Sequence, residues 1–334
     1  MKLLSVFAAL CGLTLLAALV THFGLGSVIG SLIAFGWTGF VAISGIHLVL
    51  IAVMGIAWAV LLPGTRARVP IWGRLVRDSG CELLPLSQIG GYVLGVRAVT
   101  ITGVPGASAT ASTAVDVTLE FFAQLVYTAL AACWLFYRRP QTAVLAPVAI
   151  GLSVAAILAA AFVAVQRRGF DLLGRAGQML RRSWADKAAA GASALHAAFD
   201  DIYRWRARIW ISFLLHLACW IASTCEAWVA LRLAGVPLGF LAVLVIESLL
   251  YAARSVAFAV PNAVGVQEGA YILLGANFGL APETALALSF LKRARDITIG
   301  LPVLAVWQLL ESGRLWRRAA SARTPPDLKR KPRP

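Results

Sequence analysis

Residues 3–65 read LLSVFAALCGLTLLAALVTHFGLGSVIGSLIAFGWTGFVAISGIHLVLIAVMGIAWAVLLPGT, with no Asp, Glu, Lys or Arg between Lys2 and Arg66. A helix needs about 20 apolar residues to cross a bilayer, so 63 uncharged residues hold two spans and a connection. We place the spans at 3–21 and 40–62, joined by a Gly-rich turn over 22–39. No small-x-small site precedes a polar start, so the first span is an uncleaved anchor. The rest of the chain agrees. Of 334 residues, 60% are hydrophobic and 13% charged, with mean hydropathy +0.81. Soluble domains carry about 25% charged residues; half that supply cannot cover a folded surface in water. A soluble domain, a disordered regulator and a disulfide scaffold are excluded, leaving an all-α polytopic membrane protein.

The net charge of +15 is concentrated. Residues 65–82 carry +2, residues 166–208 carry +5 and residues 314–334 carry +7. Lys and Arg close to spans mark the cytoplasmic side, so these segments and both termini face the cytoplasm. Charge spread this way orients a membrane protein and touches anionic lipid; it does not form the folded basic face of a nucleic-acid binder. Further spans fall at 118–137, 143–165, 209–231 and 237–260, and 261–311 must cross an even number of times. The expected fold has six to eight transmembrane helices in one domain over 1–313. Residues 166–208 form an amphipathic cytoplasmic loop, and 314–334 a disordered basic tail.

Two segments do not suit lipid. Residues 84–117 contain PLSQIGGYVLGVRAVTITGVPGASATASTAVD, uncharged from Ala98 to Val115 but interrupted by glycines and Pro105. Irregular backbone at membrane depth is tolerated only against protein or a wet cavity. We read this segment as re-entrant, a cytoplasmic surface loop being the alternative. The second, near 252–270, is broken at Pro261, which stops a helix, with Asn262 and Gly265 permitting a tight passage. Glu268 stands beside the break, and Glu247 and Arg254 lie two turns apart on one helix face. Discontinuous helices of this kind line transporter sites. The candidate binding residues are Arg97, Glu247, Arg254, Asn262, Gly265 and Glu268. The plainer alternative is internal pairing, Glu247 with Arg254, and interfacial positions for Asp116, Glu120 and the 292–296 cluster. Arg97 with Pro105 and Arg254 with Pro261 form a faint internal echo. No His or Cys spacing suits a metal, and no nucleotide loop, G-x-S-x-G elbow or Asp-rich pair is present, so no cofactor, metal or catalytic residue is expected.

The stretch ARSVAFAVPNAVGVQEGAYILL, with PLSQIGGYVLGVRAV earlier, resembles the flippase-like membrane region of the lysylphosphatidylglycerol synthase superfamily. More narrowly, it is similar to the hopanoid-biosynthesis-associated membrane proteins of the HpnL type. Where the broader family has P-G-G-x-G-x-x-E, this chain keeps Pro261, Gly265 and Glu268 but has Asn262 and Ala263 at the second and third positions. The resemblance implies lipid handling, with hopanoid or anionic lipid and hopanoid-synthesis enzymes as partners. Full-length synthases add an aminoacyl-transferase domain after the membrane region; no residues after Pro334 supply one here, so lysyl transfer is not expected. An integral-membrane enzyme acting on the hopanoid, and a scaffold for synthesis enzymes, are the alternatives.

Overall fold

A computed structural model describes residues 2–84, 87–138, 145–177, 182–257 and 260–323, all helix and connection. The helices are α1 (Lys2–Phe23), α2 (Leu25–Val60), α3 (Arg68–Leu83), α4 (Ser87–Thr100), α5 (Gly106–Arg138) and α6 (Leu145–Gly177). They continue with α7 (Arg182–Arg204), α8 (Arg206–Leu233), α9 (Phe240–Val256), α10 (Val266–Ala276) and α11 (Pro282–Arg323). A 3-10 turn, Pro261–Ala263, separates α9 from α10.

Among the described residues, Leu25–Val60, Gly106–Arg138, Ala146–Gln166 and Arg206–Leu233 are long and apolar enough to cross a membrane. By length α1, of 22 residues, and α11, of 42, also suffice. The charges in the middle of α11 belong to the bundle: Lys292, Arg295 and Asp296 are buried. The Gly-rich turn expected over 22–39 is instead helix on both sides of Gly24, with a bend at Gly36, where φ is 59°. α7 lies along α5, burying Phe199 and Ile202 against Val115 and Leu119. The tail beyond Arg323 lies outside the described residues.

Pair contacts fix the directions. α2 and α8 run antiparallel, with His47 against Glu226 and Leu50 against Cys219. α5 and α8 run parallel, because Asp116 meets His216, Glu120 meets Trp220 and Tyr127 meets Thr224. Between them lie two helical hairpins. In the first, Gly73 faces Val99, Arg77 faces Gly95 and Cys81 faces Gly91, the falling register of antiparallel helices. A Cβ on Gly91 would lie 2.3 Å from Cys81 Sγ and 2.5 Å from the Arg77 carbonyl, so only glycine admits this approach.

The second hairpin is α9–α10. Glu247 meets Tyr271, while Leu244 clusters with Leu274 and Phe278, again an antiparallel register. The run 237–260, read from sequence as a span, is therefore corrected: its helix has 17 residues, about 26 Å, and the chain then turns back. The reversal places Asn262 and Ala263 at φ 48° and 45°, a left-handed conformation that costs on the order of 1–3 kcal/mol per residue and survives where surroundings enforce it.

The hairpins enter from opposite ends of α11. Gly275 in α10 packs on Leu280, just ahead of the start of α11. At the other end Arg97 in α4 pairs with Glu311, while the tip of the first hairpin reaches Gly300 through Ser79 and Leu83. α2–α5 and α8–α11 are thus two copies of one plan, span–hairpin–span, in inverted orientation. Its trace in the chain is Gln88-Ile89-Gly90-Gly91-Tyr92 against Gln267-Glu268-Gly269-Ala270-Tyr271. The echo read from Arg97/Pro105 and Arg254/Pro261 is out of register. Pro105 stands at a hairpin base, immediately before α5, whereas Pro261 stands at a hairpin tip.

Candidate functional site: a charged cavity where two hairpin tips meet

The tips touch. Arg254 Nη2, at the end of α9, donates to Glu82 Oε1 at 3.0 Å and Oε2 at 2.8 Å, at the end of α3, and to Asn262 Oδ1 at 3.3 Å. Beside this junction is a cavity of about 380 Å³ walled by α2, α3, α4, α5, α8, α9 and α11. Its lining carries the charged groups Arg74, Arg77, Asp78, Glu82, Glu120, Glu226, Arg254 and Asp296. Leu50, Ile51, Met54, Phe121 and Ile299 line it too. Gln124 and Ser255 also line it and bond each other at 3.0 Å across the α5–α9 seam. Ser255 and the next residue, Val256, are exposed, so the cavity reaches the outer surface of the bundle at this seam.

An isolated charge inside a low-dielectric bundle is expensive and persists only when paired. α3 shows how this is met. Arg74 and Arg77, one turn apart on α3, form a fork around α5. Arg74 donates to Glu120 Oε1 and Oε2 at 2.6 and 2.9 Å and to Asp78 at 2.6 Å. Arg77 donates to Asp116 at 2.8 Å, Glu120 at 2.6 Å and Asp78 at 3.1 Å, and its guanidinium lies over the Tyr92 ring. Two planar forks suit bidentate carboxylate pairing, and they pin the first hairpin to its span.

The second hairpin uses the opposite arrangement. Glu247, on α9, accepts from Tyr271 at 2.6 Å and from Lys292 of α11. Glu268 accepts from the Gly265 backbone N–H at 2.8 Å, capping α10, and from Ser289 at 2.8 Å and Arg293 at 2.7 Å. Glu226 on α8, which lines the cavity with His47 and Asp296, holds Arg295 and His47, and Arg295 also binds Asp296.

Of the six residues expected to bind a ligand, Arg254 and Asn262 line the cavity. Glu247 and Glu268 are fully buried behind it, and Gly265 serves as the cap of α10. Glu247 pairs with Lys292 and not with Arg254, which reaches past its own helix to α3. Arg97 stands apart, paired with Glu311 at the end of the bundle and 43% exposed. Asp116 is buried rather than interfacial, and so are Lys292, Arg295 and Asp296. Sequence reading missed Arg74, Arg77 and Asp78, taken only as topology charges. The repeated Q-x-G-small-Y pattern could have found them, since aligning its two copies sets 68–83 beside 247–262, so that α3 and α9 are the equivalent arms ahead of it.

A bundle of long apolar helices with two inverted hairpins meeting at a charged cavity defines an all-α polytopic membrane protein. A model of the lysylphosphatidylglycerol synthase TM region matches residues 3–303, and the chain belongs to this lipid-related, flippase-like family. No curated protein and no solved structure matches it.

Proposed function

We propose that the protein is a flippase-like translocase or transport factor of the bacterial inner membrane, serving hopanoid biosynthesis, with both termini cytoplasmic. The observation that carries this reading is the cavity between the hairpin tips. Charged and apolar side chains both line it, and it is continuous with the bundle surface at Ser255. A lipid presents the matching shape: a polar head that needs partners and hydrocarbon that can stay in the bilayer. Arg254 and Asn262 would contact the head group. Glu82 and Asn262 both engage Arg254 through Nη2, which leaves Nε and Nη1 to a head-group oxygen. The family membership and the resemblance to hopanoid-associated membrane proteins support a lipid of this kind.

The test is the lipid profile of a strain lacking the protein, with inner and outer membranes separated. Normal hopanoid species in the wrong membrane are expected, and Arg254→Ala should reproduce that defect. Missing or chemically altered hopanoids would transfer the role to modification. An unchanged profile would remove hopanoids as the lipid.

A further inference from the structure

What the charged side chains of the cavity can offer a ligand depends on the hydrogen bonds they already make. Arg74 and Arg77 are nearly sealed, with side chains 4% and 2% exposed. Each of their guanidinium nitrogens already donates, to Asp78, Asp116, Glu120 or Met54 Sδ. Neither arginine can open a fork to a phosphate. The carboxylates are more open: the Glu82 and Asp78 side chains are 29% and 23% exposed. An ionised carboxylate has about four lone-pair sites. Asp78 accepts one bond at each oxygen, and Glu82 accepts from a single nitrogen. Both keep acceptor capacity.

Donors stand beside these acceptors. Arg254 uses only Nη2, on Glu82 and Asn262, so its Nε and Nη1 have no hydrogen-bond partner among the described residues. The same holds for Asn262 Nδ2 and the Tyr251 hydroxyl. All three residues line the cavity with Glu82 and Asp78. A phosphodiester only accepts hydrogen bonds, and it would meet Glu82 and Asp78 as like charges. An ammonium only donates, and it would meet Arg254 as a like charge. A hydroxyl does both, carries no charge, and leaves the existing ion pairs closed. Tyr251 and Trp220, edge to face at 4.8 Å and both in the lining, add ring surface for the C–H face of such a group.

We propose that the cavity takes an uncharged polyhydroxyl group, a sugar or a linear polyol. Its hydroxyls accept from Arg254 and Asn262 and donate to Glu82 and Asp78. This rests on the lipid-handling reading above, under which the polyol is the head group of a lipid. The volume of about 380 Å³ lies within the range of small-ligand pockets, about 300–1,000 Å³. Binding is by hydrogen bonds alone, with no covalent step. A head group without hydroxyls leaves donors or acceptors of the site unanswered, and a site built for hydrogen bonds rejects such a ligand strongly.

The experiment is a competition among lipids for the full chain in phosphatidylcholine nanodiscs. Three minor lipids share one pair of oleoyl chains and differ in the head: glucose, phosphate or a primary amine. They are supplied in equal amounts, and native mass spectrometry reads which stays on the protein. The glucosyl lipid should be retained in preference to both others. Tyr251→Phe should lower its retention about two- to tenfold, the worth of one hydrogen bond. The unfolding midpoint should not move, because that hydroxyl bonds nothing in the protein. Preference for the amine or the phosphate lipid would overturn the polyol and leave lipid handling in place. Retention unchanged in both Tyr251→Phe and Arg254→Ala would put the sugar outside this cavity and overturn the site. No retention over phosphatidylcholine would overturn both readings. Methyl glucoside, which has no chains, should compete weakly. If it displaced the glucosyl lipid as readily as more of that lipid does, the polyol class would stand and its assignment to a lipid would fall.

Discussion

The two hairpins share a plan and exchange their charges. In the first, the arm α3 carries cations, Arg74 and Arg77, and the following span α5 carries the acids Asp116 and Glu120. In the second, the arms carry acids, Glu247 and Glu268, and the span α11 carries the cations Lys292 and Arg293. A tyrosine sits at the same place in both copies: Tyr92 under Arg77, Tyr271 bonded to Glu247. What the plan requires is a neutral lock between hairpin and span; the sign on either partner is free. Low dielectric explains this, since it penalises any uncompensated charge whatever its sign.

The comparison can be broken most severely by removing one partner of a lock. Arg77→Ala leaves Asp116 and Glu120 under-compensated, and Glu247→Ala leaves Lys292 buried without its carboxylate. Breaking a buried pair costs about 3–5 kcal/mol, enough to lose most folded protein on extraction into detergent. Exchanging Glu247→Lys and Lys292→Glu together should recover much of the loss of either single change, as the first hairpin implies. Thermal unfolding in detergent measures both. A single substitution costing less than about 1 kcal/mol would show that the locks are not what holds the hairpins.

The hairpins differ next in how closely their arms approach. Gly91 meets Cys81 and backbone at under 3 Å, whereas its counterpart in the second copy is Ala270. Gly91→Ala should therefore cost about 1–3 kcal/mol by overpacking. Gly90→Ala, with nothing within 4 Å, should be neutral or stabilising, because alanine favours helix by about 1 kcal/mol over glycine. Equal effects at both positions would mean the arms of the first hairpin are no tighter than those of the second.

A third difference lies at the turns. The reversal between α9 and α10 ends at Gly265, with φ 80°, whose N–H is capped by Glu268. Gly265→Ala keeps the cap but forces an alanine into that backbone conformation, at about 1–2 kcal/mol. Hydrogen exchange should show faster opening of α10 than of α4. Equal exchange in the variant and the unsubstituted chain would show that the turn is not strained.

How much of this was legible follows from the same residues. Hydropathy over 3–62, 118–165 and 209–231 led to real helices, because lipid-facing apolar length is a property of the local chain. Residues 237–260 misled for that reason: an apolar arm that turns back after about 26 Å reads like a crossing helix until Pro261. The break itself was visible, but the reversal of direction depends on α10 finding Glu247 and Lys292. The site was less legible still. Arg74, Arg77 and Asp78 carry the pattern of a basic cytoplasmic connection, and only folding against Asp116 and Glu120, some 40 residues away, makes them the lining of a cavity. Arg254 was found because a helix break accompanied it; its partner Glu82 had no such marker.

Arg97 sharpens the comparison from the weak side. It lies at the base of the first hairpin, donates to Glu311 at 3.0 Å and 2.6 Å, and is 43% exposed. It therefore has the geometry of the buried locks without their dielectric. Exposed ion pairs contribute about 0–1 kcal/mol, since solvent and salt screen them and two long side chains must be held still. Arg97→Ala should shift unfolding little, and raising salt should shrink even that shift, while the Arg77 lock stays insensitive to salt. The measurement is the unfolding midpoint of both variants at low and high ionic strength. If Arg97→Ala proved as damaging as Arg77→Ala, burial would not be the quantity that separates a structural lock from a surface contact in this bundle. The base of the hairpin would then carry as much of its anchoring as the buried pairs of Arg74 and Arg77.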